Sequence, residues 1–252
     1  MQPDYEAVKN CKIIYRPRGR AYEYAPLATN PYRGCGHGCV YCYVPDAIRM
    51  PRSEFDETAI PRKDYIKKLI ADAKKYQAAF VKEQVLLSFT TDPFNPHDTS
   101  LTRPAIEVLK AYGLSFVTLS KGGSRALPFV DLYRPGVDHY ACTLTTLNDS
   151  MSLRWERGAA LPQDRIDTLR AFHDAGIYTW VSLEPTLDAD TSIEIVRGTH
   201  GFVNLYKVGK LNYVNSKTDW RDYVRRMVEI SETVDADFYF KEDLKPYMKG
   251  QS

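Results

Sequence analysis

Three cysteines fall within eight residues of this chain, as Cys35-Gly-His-Gly-Cys39-Val-Tyr-Cys42. Thiolates that close together, in a chain with no other cysteine pairing pattern, are metal ligands before they are anything else. Gly36 and Gly38 give the backbone the freedom to turn the sulfurs toward one centre. A four-iron cubane normally takes four cysteines, so three leave one iron open to a further ligand, a reactive arrangement. The alternative is zinc, with His37 as fourth ligand. His37 lies two residues from each neighbouring cysteine, which is tight for such a site, and no second CxxC or His pair appears. Cys11 and Cys142 stand alone, and five cysteines without a visible export signal argue against a disulfide framework.

The cysteine loop needs a frame, and the sequence after residue 62 supplies one by alternating helical and extended segments. Ile66, Leu69, Ile70 and Ala73 recur at helical spacing over 62–80 after Pro61. The apolar run Val85 to Phe89 reads as a buried strand. A helix between Pro104 and Gly113 and a strand over Leu114–Leu119 come next. A short helix is expected near 125–133 and a strand over 139–145. Pro162 opens, and Gly176 closes, a long helix. Strands are expected at 178–183, 202–208 and 236–240, with helices near 190–197 and 219–233. Together with an extended segment before Cys35 this makes six to seven strands in a βα repeat, which implies a parallel sheet. That is too few for a closed eight-stranded barrel and right for a partial (β/α)6 barrel of α/β class; a doubly wound sheet is the competitor. We expect a single domain over 1–252, with residues 1–28 an N-terminal extension and 29–245 the partial barrel.

Composition narrows the class. The 252 residues are 44% hydrophobic and 26% charged, which excludes disorder, collagen and coiled coil. No apolar run approaches the roughly 20 residues that span a bilayer. The first residues lack the apolar core of a secretory signal, so a cytoplasmic location and no membrane partner are expected. Net charge is only +2, yet the first 82 residues hold 15 Lys and Arg against 9 Asp and Glu. A basic first third attracts polyanions, although a solvated helix face bearing Lys67, Lys68, Lys74 and Lys75 accounts for part of it.

The C-x3-C-x2-C array, with the aromatic Tyr41 just before its last cysteine, resembles the signature of the radical S-adenosylmethionine (SAM) enzymes. The preceding GRAYEYAPLATNPYRG (19–34), followed by CGHGCVYCYVP, resembles the spore photoproduct lyase-like branch, and within it a subgroup carried by phages. So do SFTTDPFNP (88–96), TLSKGG (118–123), TLTTLN (143–148), RIDTLRAFHDAGI (165–177) and KVGKLNY (207–213), so the resemblance spans nearly the whole chain. It implies a [4Fe–4S] cluster on Cys35, Cys39 and Cys42, with SAM on the open iron. An electron from a flavodoxin or ferredoxin would cleave SAM to a 5′-deoxyadenosyl radical that takes a substrate hydrogen. It also implies the partial (β/α)6 barrel already read from the alternation.

In α/β barrels functional side chains gather at the C-terminal ends of strands. Thr90, Thr91 and Asp92 follow the second strand, where the family grips the methionine amino group; their alternative is to start a turn before Pro93. Ser120 and Lys121 end the third strand, and a SAM carboxylate would pair the lysine. Thr143 and Thr145 share one face of the fourth strand by period two and are candidates for the ribose hydroxyls. Glu156 lies beyond that strand, with a solvated Glu156–Arg157 pair as the alternative. Glu184 ends the fifth strand as a further cofactor candidate. Lys210 and Asn212, after the sixth, and Lys241, after the last, are candidates to face substrate. Tyr41 and Tyr43 flank the cysteines and are candidates for stacking or hydrogen relay, alongside Cys142, whose strand parity points instead to the helix side. The SFTTDP segment holds no cysteine, a departure from spore photoproduct lyase, so dimer reversal is not implied. The expected substrate is a nucleobase or modified thymine in nucleic acid. A peptide or small metabolite is the alternative within this chemistry, and a non-catalytic zinc or iron–sulfur scaffold for nucleic acid is the alternative outside it. A monomer is expected.

Overall fold

A computed structural model describes residues 2–212 and 216–248; Tyr213, which ends the KVGKLNY segment, lies outside them. Seven parallel strands form one sheet: β1 (Leu27–Thr29), β2 (Val85–Leu87), β3 (Phe116–Ser120), β4 (His139–Thr143), β5 (Tyr178–Leu183), β6 (Leu205–Val208) and β7 (Asp237–Phe240). They neighbour one another in strict chain order. That order settles the choice of architecture. A doubly wound sheet reverses direction at a switch point, whereas this one never does, so the sheet curls as a partial (β/α)6 barrel.

Helices α1 (Tyr65–Ala78), α2 (Thr102–Ala111), α3 (Pro162–Asp174), α4 (Ala189–Thr199) and α5 (Trp220–Ser231) fill five of the six crossovers. The expected helix near 125–133 is a 3-10 helix, Gly123–Leu132, with Pro128 inside it. Proline has no N–H and clashes with the preceding turn, so an α-helix does not propagate through it. Pro162 sits at the start of α3 as expected. Pro104 falls inside the first turn of α2, which begins at Thr102. The short helices Val44–Ile48, Arg52–Glu57 and Asp149–Trp155, and the antiparallel pair Tyr32–Arg33 with Ile60–Pro61, are additions around the cysteine loop.

Strand alternation divides the core. Leu87, Phe116, Tyr140, Cys142, Val181 and Tyr206 pack outward against Leu69, Leu109, Leu169, Phe172 and Val224 of the helices. Ala28, Leu86, Val117, Ala141 and Trp180 point inward, where Tyr24 and Phe89 join them. The N-terminal segment crosses this inner face. Tyr15 pairs with Ala28 on the free edge of β1, and Lys207 Nζ on β6 donates to the Glu23 and Tyr24 carbonyls at 2.9 and 2.8 Å. The extension therefore straps one side of the open barrel to the other.

One buried polar node fixes the register between β3 and β4. The fully buried Asp138 accepts from the Phe116 amide at 3.1 Å and from the Arg134 amide and guanidinium at 2.7–2.9 Å. Removing Asp138 takes the acceptor from the partly exposed Arg134 and leaves the buried Phe116 amide unsatisfied. Asp138→Ala is expected to cost about 3 kcal/mol, read as a thermal midpoint lower by roughly 6–12 °C for a chain of this size. A fall of less than about 2 °C in circular dichroism melts would contradict the assignment.

Candidate active site

The C-terminal ends of the strands surround a cavity of about 430 Å3. The three cysteines reach it on the loop after β1, held by neighbours on every side. The Cys35 amide donates to Phe55 O, Val40 N to Trp155 O, and Gly158 N to His37 O at 3.0 Å. Arg52 donates to the carbonyls of Cys39 and Cys42. Two glycines are required here. Gly38 has φ +56°, and a Cβ on Gly158 would stand 1.9 Å from the Gly36 carbonyl oxygen. Burial pushes the thiols up, Cys39 to about 12.

His37 is not a fourth ligand. Its Nε2 accepts from Arg125 at 2.9 Å, so the proton sits on Nδ1, 3.3 Å from the Asp92 carboxylate. Burial keeps the ring neutral by lowering its pKa. Among the described residues, no three His, Cys, Asp or Glu side chains converge to hold a single metal ion. A cubane places each thiolate on a different iron, so its ligands need not meet at one point. The donor set fits such a cluster better than zinc.

Asp92 joins the loop to two strands. It accepts from the Phe94 amide, the Ser120 hydroxyl at 2.7 Å and the Lys121 amide at 2.9 Å. Burial alone would raise its carboxyl; the His37 Nδ1–H, with the hydroxyl and amide donors, outweighs that and holds it well below the carboxylate range. Asp92 thus begins the turn expected ahead of Pro93, and it also lines the cavity. Thr91 Oγ1 donates to Gly34 O at 2.7 Å. Thr90 Oγ1 is buried without a hydrogen-bond partner. Lys121 is half-buried over the Tyr41 ring, 5.6 Å from its centroid, with no carboxylate within 4.0 Å among the described residues. An orphan hydroxyl and an unpaired ammonium beside the cysteines fit the amino acid end of SAM.

Glu156 is the anchor behind the loop. It is fully buried and pairs with the equally buried Arg165 of α3 at 2.6 Å. The Tyr41 hydroxyl donates to it, as does Thr145 Oγ1 at 3.1 Å. A solvated pair with Arg157 is thus overturned, because Arg157 reaches out to Asp56 and Glu57. Thr145 does not share a cavity-lining face with Thr143. β4 ends at Thr143, and past a strand's end the two-residue period no longer sets direction. Cys142 lies in the helix-side core, away from the cavity.

Glu184 organises the opposite side. Its carboxylate accepts from Tyr24 OH at 2.6 Å, Arg20 at 3.0 Å, Asn212 at 3.3 Å and the buried Lys241 ammonium. Arg20 also meets Asp243 at 2.5 Å. Thus the cavity brings together Cys35, Cys39, Cys42, Tyr41, Tyr43, Thr90, Thr91, Asp92, Ser120, Lys121, Thr143, Glu184, Lys210, Asn212 and Lys241. Sequence reasoning missed Arg20, Tyr24, Arg125 and Arg165. The GRAYEY segment was the available signal for the first two.

The buried pair yields a testable asymmetry. Glu156→Ala leaves Arg165 charged and unpaired and is expected to cost about 3–5 kcal/mol in urea unfolding, while Glu156→Leu with Arg165→Met recovers most of it. Equal losses in both variants would contradict this account.

The profile of the radical SAM superfamily matches residues 29–191. A phage enzyme, the radical SAM Nalpha-GlyT isomerase of Pseudomonas phage M6, is 25% identical over 202 residues, 77% of this chain and 40% of its own. An uncharacterized Mycobacterium bovis protein is 26% identical over 167 residues, 63% of this chain and 48% of its own. The chain thus spans less than half the length of these curated relatives. Spore photoproduct lyase with dinucleoside spore photoproduct superposes with TM-score 0.66 at 16% identity, covering 92% of this chain and 80% of the lyase. Streptococcus suis SuiB bound to S-adenosylmethionine superposes with TM-score 0.63 at 14% identity, covering 85% and 49%. Enzymes of this superfamily use a [4Fe–4S] cluster and SAM. With the profile running from the end of β1 past β5, this chain belongs to the radical SAM superfamily and is spore photoproduct lyase-like in fold.

Proposed function

We propose that this enzyme takes a hydrogen from a nucleobase, a thymine or modified thymine presented by nucleic acid. The observation that carries the proposal is the two-sided cavity, with thiols and an unpaired Lys121 under β1–β4 and a polar, basic wall under β5–β7. One side suits the cofactors; the other remains for a polar substrate. The dinucleoside held by spore photoproduct lyase, the name of the phage relative and the basic first third of the chain support the nucleic-acid choice.

When bound, the cluster and SAM supply reductive cleavage to a 5′-deoxyadenosyl radical that abstracts hydrogen. The chain's own residues do the rest. Cys35, Cys39 and Cys42 hold the cluster. Lys121 would donate to the SAM carboxylate, Thr90 Oγ1 would accept from its amino group and Thr143 would meet the ribose. Asp92 and Ser120 set the Lys121 backbone, while Glu156 and Thr145 act through Tyr41 to brace the loop. Glu184, Lys210, Asn212 and Lys241 form the substrate wall, beside Tyr43. A base inside a duplex cannot reach this depth, so it arrives flipped or single-stranded. The electron comes from a flavodoxin or ferredoxin, and the protein works as a cytoplasmic monomer of one domain.

Anaerobic reconstitution is expected to give about four iron and four sulfide per chain, lost when Cys35, Cys39 and Cys42 are replaced by Ala. Stoichiometric zinc without sulfide would refute the cluster. Lys121→Ala is expected to weaken SAM binding about 5- to 150-fold, equivalent to about 1–3 kcal/mol, and unchanged affinity would remove Lys121 from the site. Substrate class is read by isotope. Reduced enzyme, SAM and DNA carrying deuterated thymine should place deuterium in 5′-deoxyadenosine. No transfer from any thymine derivative, with DNA binding insensitive to salt, would assign a peptide or small metabolite instead.

A further inference from the structure

We propose that Arg18 and Lys210 form a phosphate subsite at the β5–β7 side of the cavity, holding a phosphate attached to the nucleoside whose base faces the cysteines. The inference rests on the nucleobase reading above and names what the substrate wall recognises.

Charge pairing on that side leaves these two cations over. Glu184 and Asp243 are matched by Arg20 and Lys241: Arg20 meets both carboxylates, at 3.0 and 2.5 Å, and Lys241 meets Glu184. Arg18 and Lys210 line the same cavity, and neither has a carboxylate within 4.0 Å among the described residues. They are brought together by one chain of contacts. Arg20, two residues from Arg18, reaches Asp243; Asn212, two residues from Lys210, donates to the same carboxylate oxygen at 3.2 Å.

Lys210 is held in place. Its Nζ donates to Tyr247 OH at 3.0 Å and lies 4.7 and 5.1 Å from the Tyr247 and Trp220 ring centroids. Aromatic faces orient an ammonium without cancelling its charge, and two of its three N–H donors remain. Arg18 is exposed at the start of the Gly19–Glu23 turn and adds a planar fork of donors suited to phosphate oxygens. The SAM carboxylate does not compete for this pair. Lys121 follows β3 and pairs over the Tyr41 ring beside the cysteines, whereas Lys210 follows β6, three strands further along the sheet, and sits over Tyr247 and Trp220. The cavity therefore presents cationic charge at two separate places, so it is built for two anions.

The test uses anaerobically reconstituted, unreduced enzyme with SAM at fixed ionic strength. Affinities are measured for thymidine against thymidine 5′-phosphate and thymidylyl-thymidine, and for deoxyribose against deoxyribose 5-phosphate. A preference of tenfold or more for the phosphorylated member of both pairs is expected. Arg18→Ala and Lys210→Met should each reduce that ratio severalfold, and the double variant should bring it near one. Arg18 is exposed, so its variant tests the subsite even if Lys210→Met folds poorly. A preference limited to the monoester would assign a free nucleotide, and an equal gain with the dinucleotide a strand. Thymidine binding without any gain from phosphate overturns the subsite and leaves the nucleobase reading standing. Selective binding of deoxyribose 5-phosphate with no thymidine binding keeps the subsite and overturns that reading. No binding of any probe overturns both, and a ratio that persists in the double variant overturns the assignment to these residues.

Discussion

One buried carboxylate carries the geometry of the cysteine loop. Glu156 is fully enclosed and charged, which is tolerable only because Arg165 faces it from α3 and Tyr41 and Thr145 donate to it. Tyr41 lies between Cys39 and Cys42, so fixing its hydroxyl fixes the segment that carries two of the three thiols. Arg165 in turn donates to the carbonyls of Ala160 and Thr143, tying the same node to the end of β4. The loop is glycine-rich and has little regular structure of its own; its shape is imposed from outside by this pairing.

Two further carboxylates divide the remaining work. Asp92 connects β2, β3 and His37 within hydrogen-bond reach of the Lys121 backbone, so the cofactor side is a rigid extension of the sheet. Glu184 gathers donors from the N-terminal strap and from the segments after β6 and β7. The substrate wall thus depends on the strap as much as on the barrel. Lys207 anchors that strap through two carbonyls from inside the barrel, where burial lowers its pKa to about 8. An open barrel has two free sheet edges; here Tyr15 pairs with Ala28 on one, and Glu23 accepts from Tyr239 and from the Glu242 amide at the other.

The superfamily likeness and the geometry meet at the fold and the cysteine loop. Solved structures at 14–16% identity share the barrel, so the likeness reaches the fold and leaves the wall of Arg18, Arg20, Tyr24 and Glu184 to be read from this chain's own geometry. Fold does not carry substrate choice; the site does. In this cavity two carboxylates, Glu184 and Asp243, are neutralised in place by Arg20 and Lys241.

The sequence by itself determined the chemistry and the frame. Cysteine spacing, the βα alternation and the strand-end positions are local patterns, set by periods of two and 3.6 residues, and they led to the partial barrel, the three thiols and the side chains that share its mouth. Parity on β4 was enough to send Cys142 to the helix side. Only the tertiary structure decided the partners. Glu156 stands next to Arg157 in sequence but pairs with Arg165, its backbone bridged to Cys39 on the cysteine loop. His37 sits among the cysteines yet gives its nitrogens to Arg125 and Asp92. Thr145 leaves the cavity because its strand has already ended, and Arg20 and Tyr24 enter it from a segment read only as an extension. Each of these depends on contacts between residues far apart in the chain, most of them made by buried charges that must find a counter-charge wherever the fold supplies one.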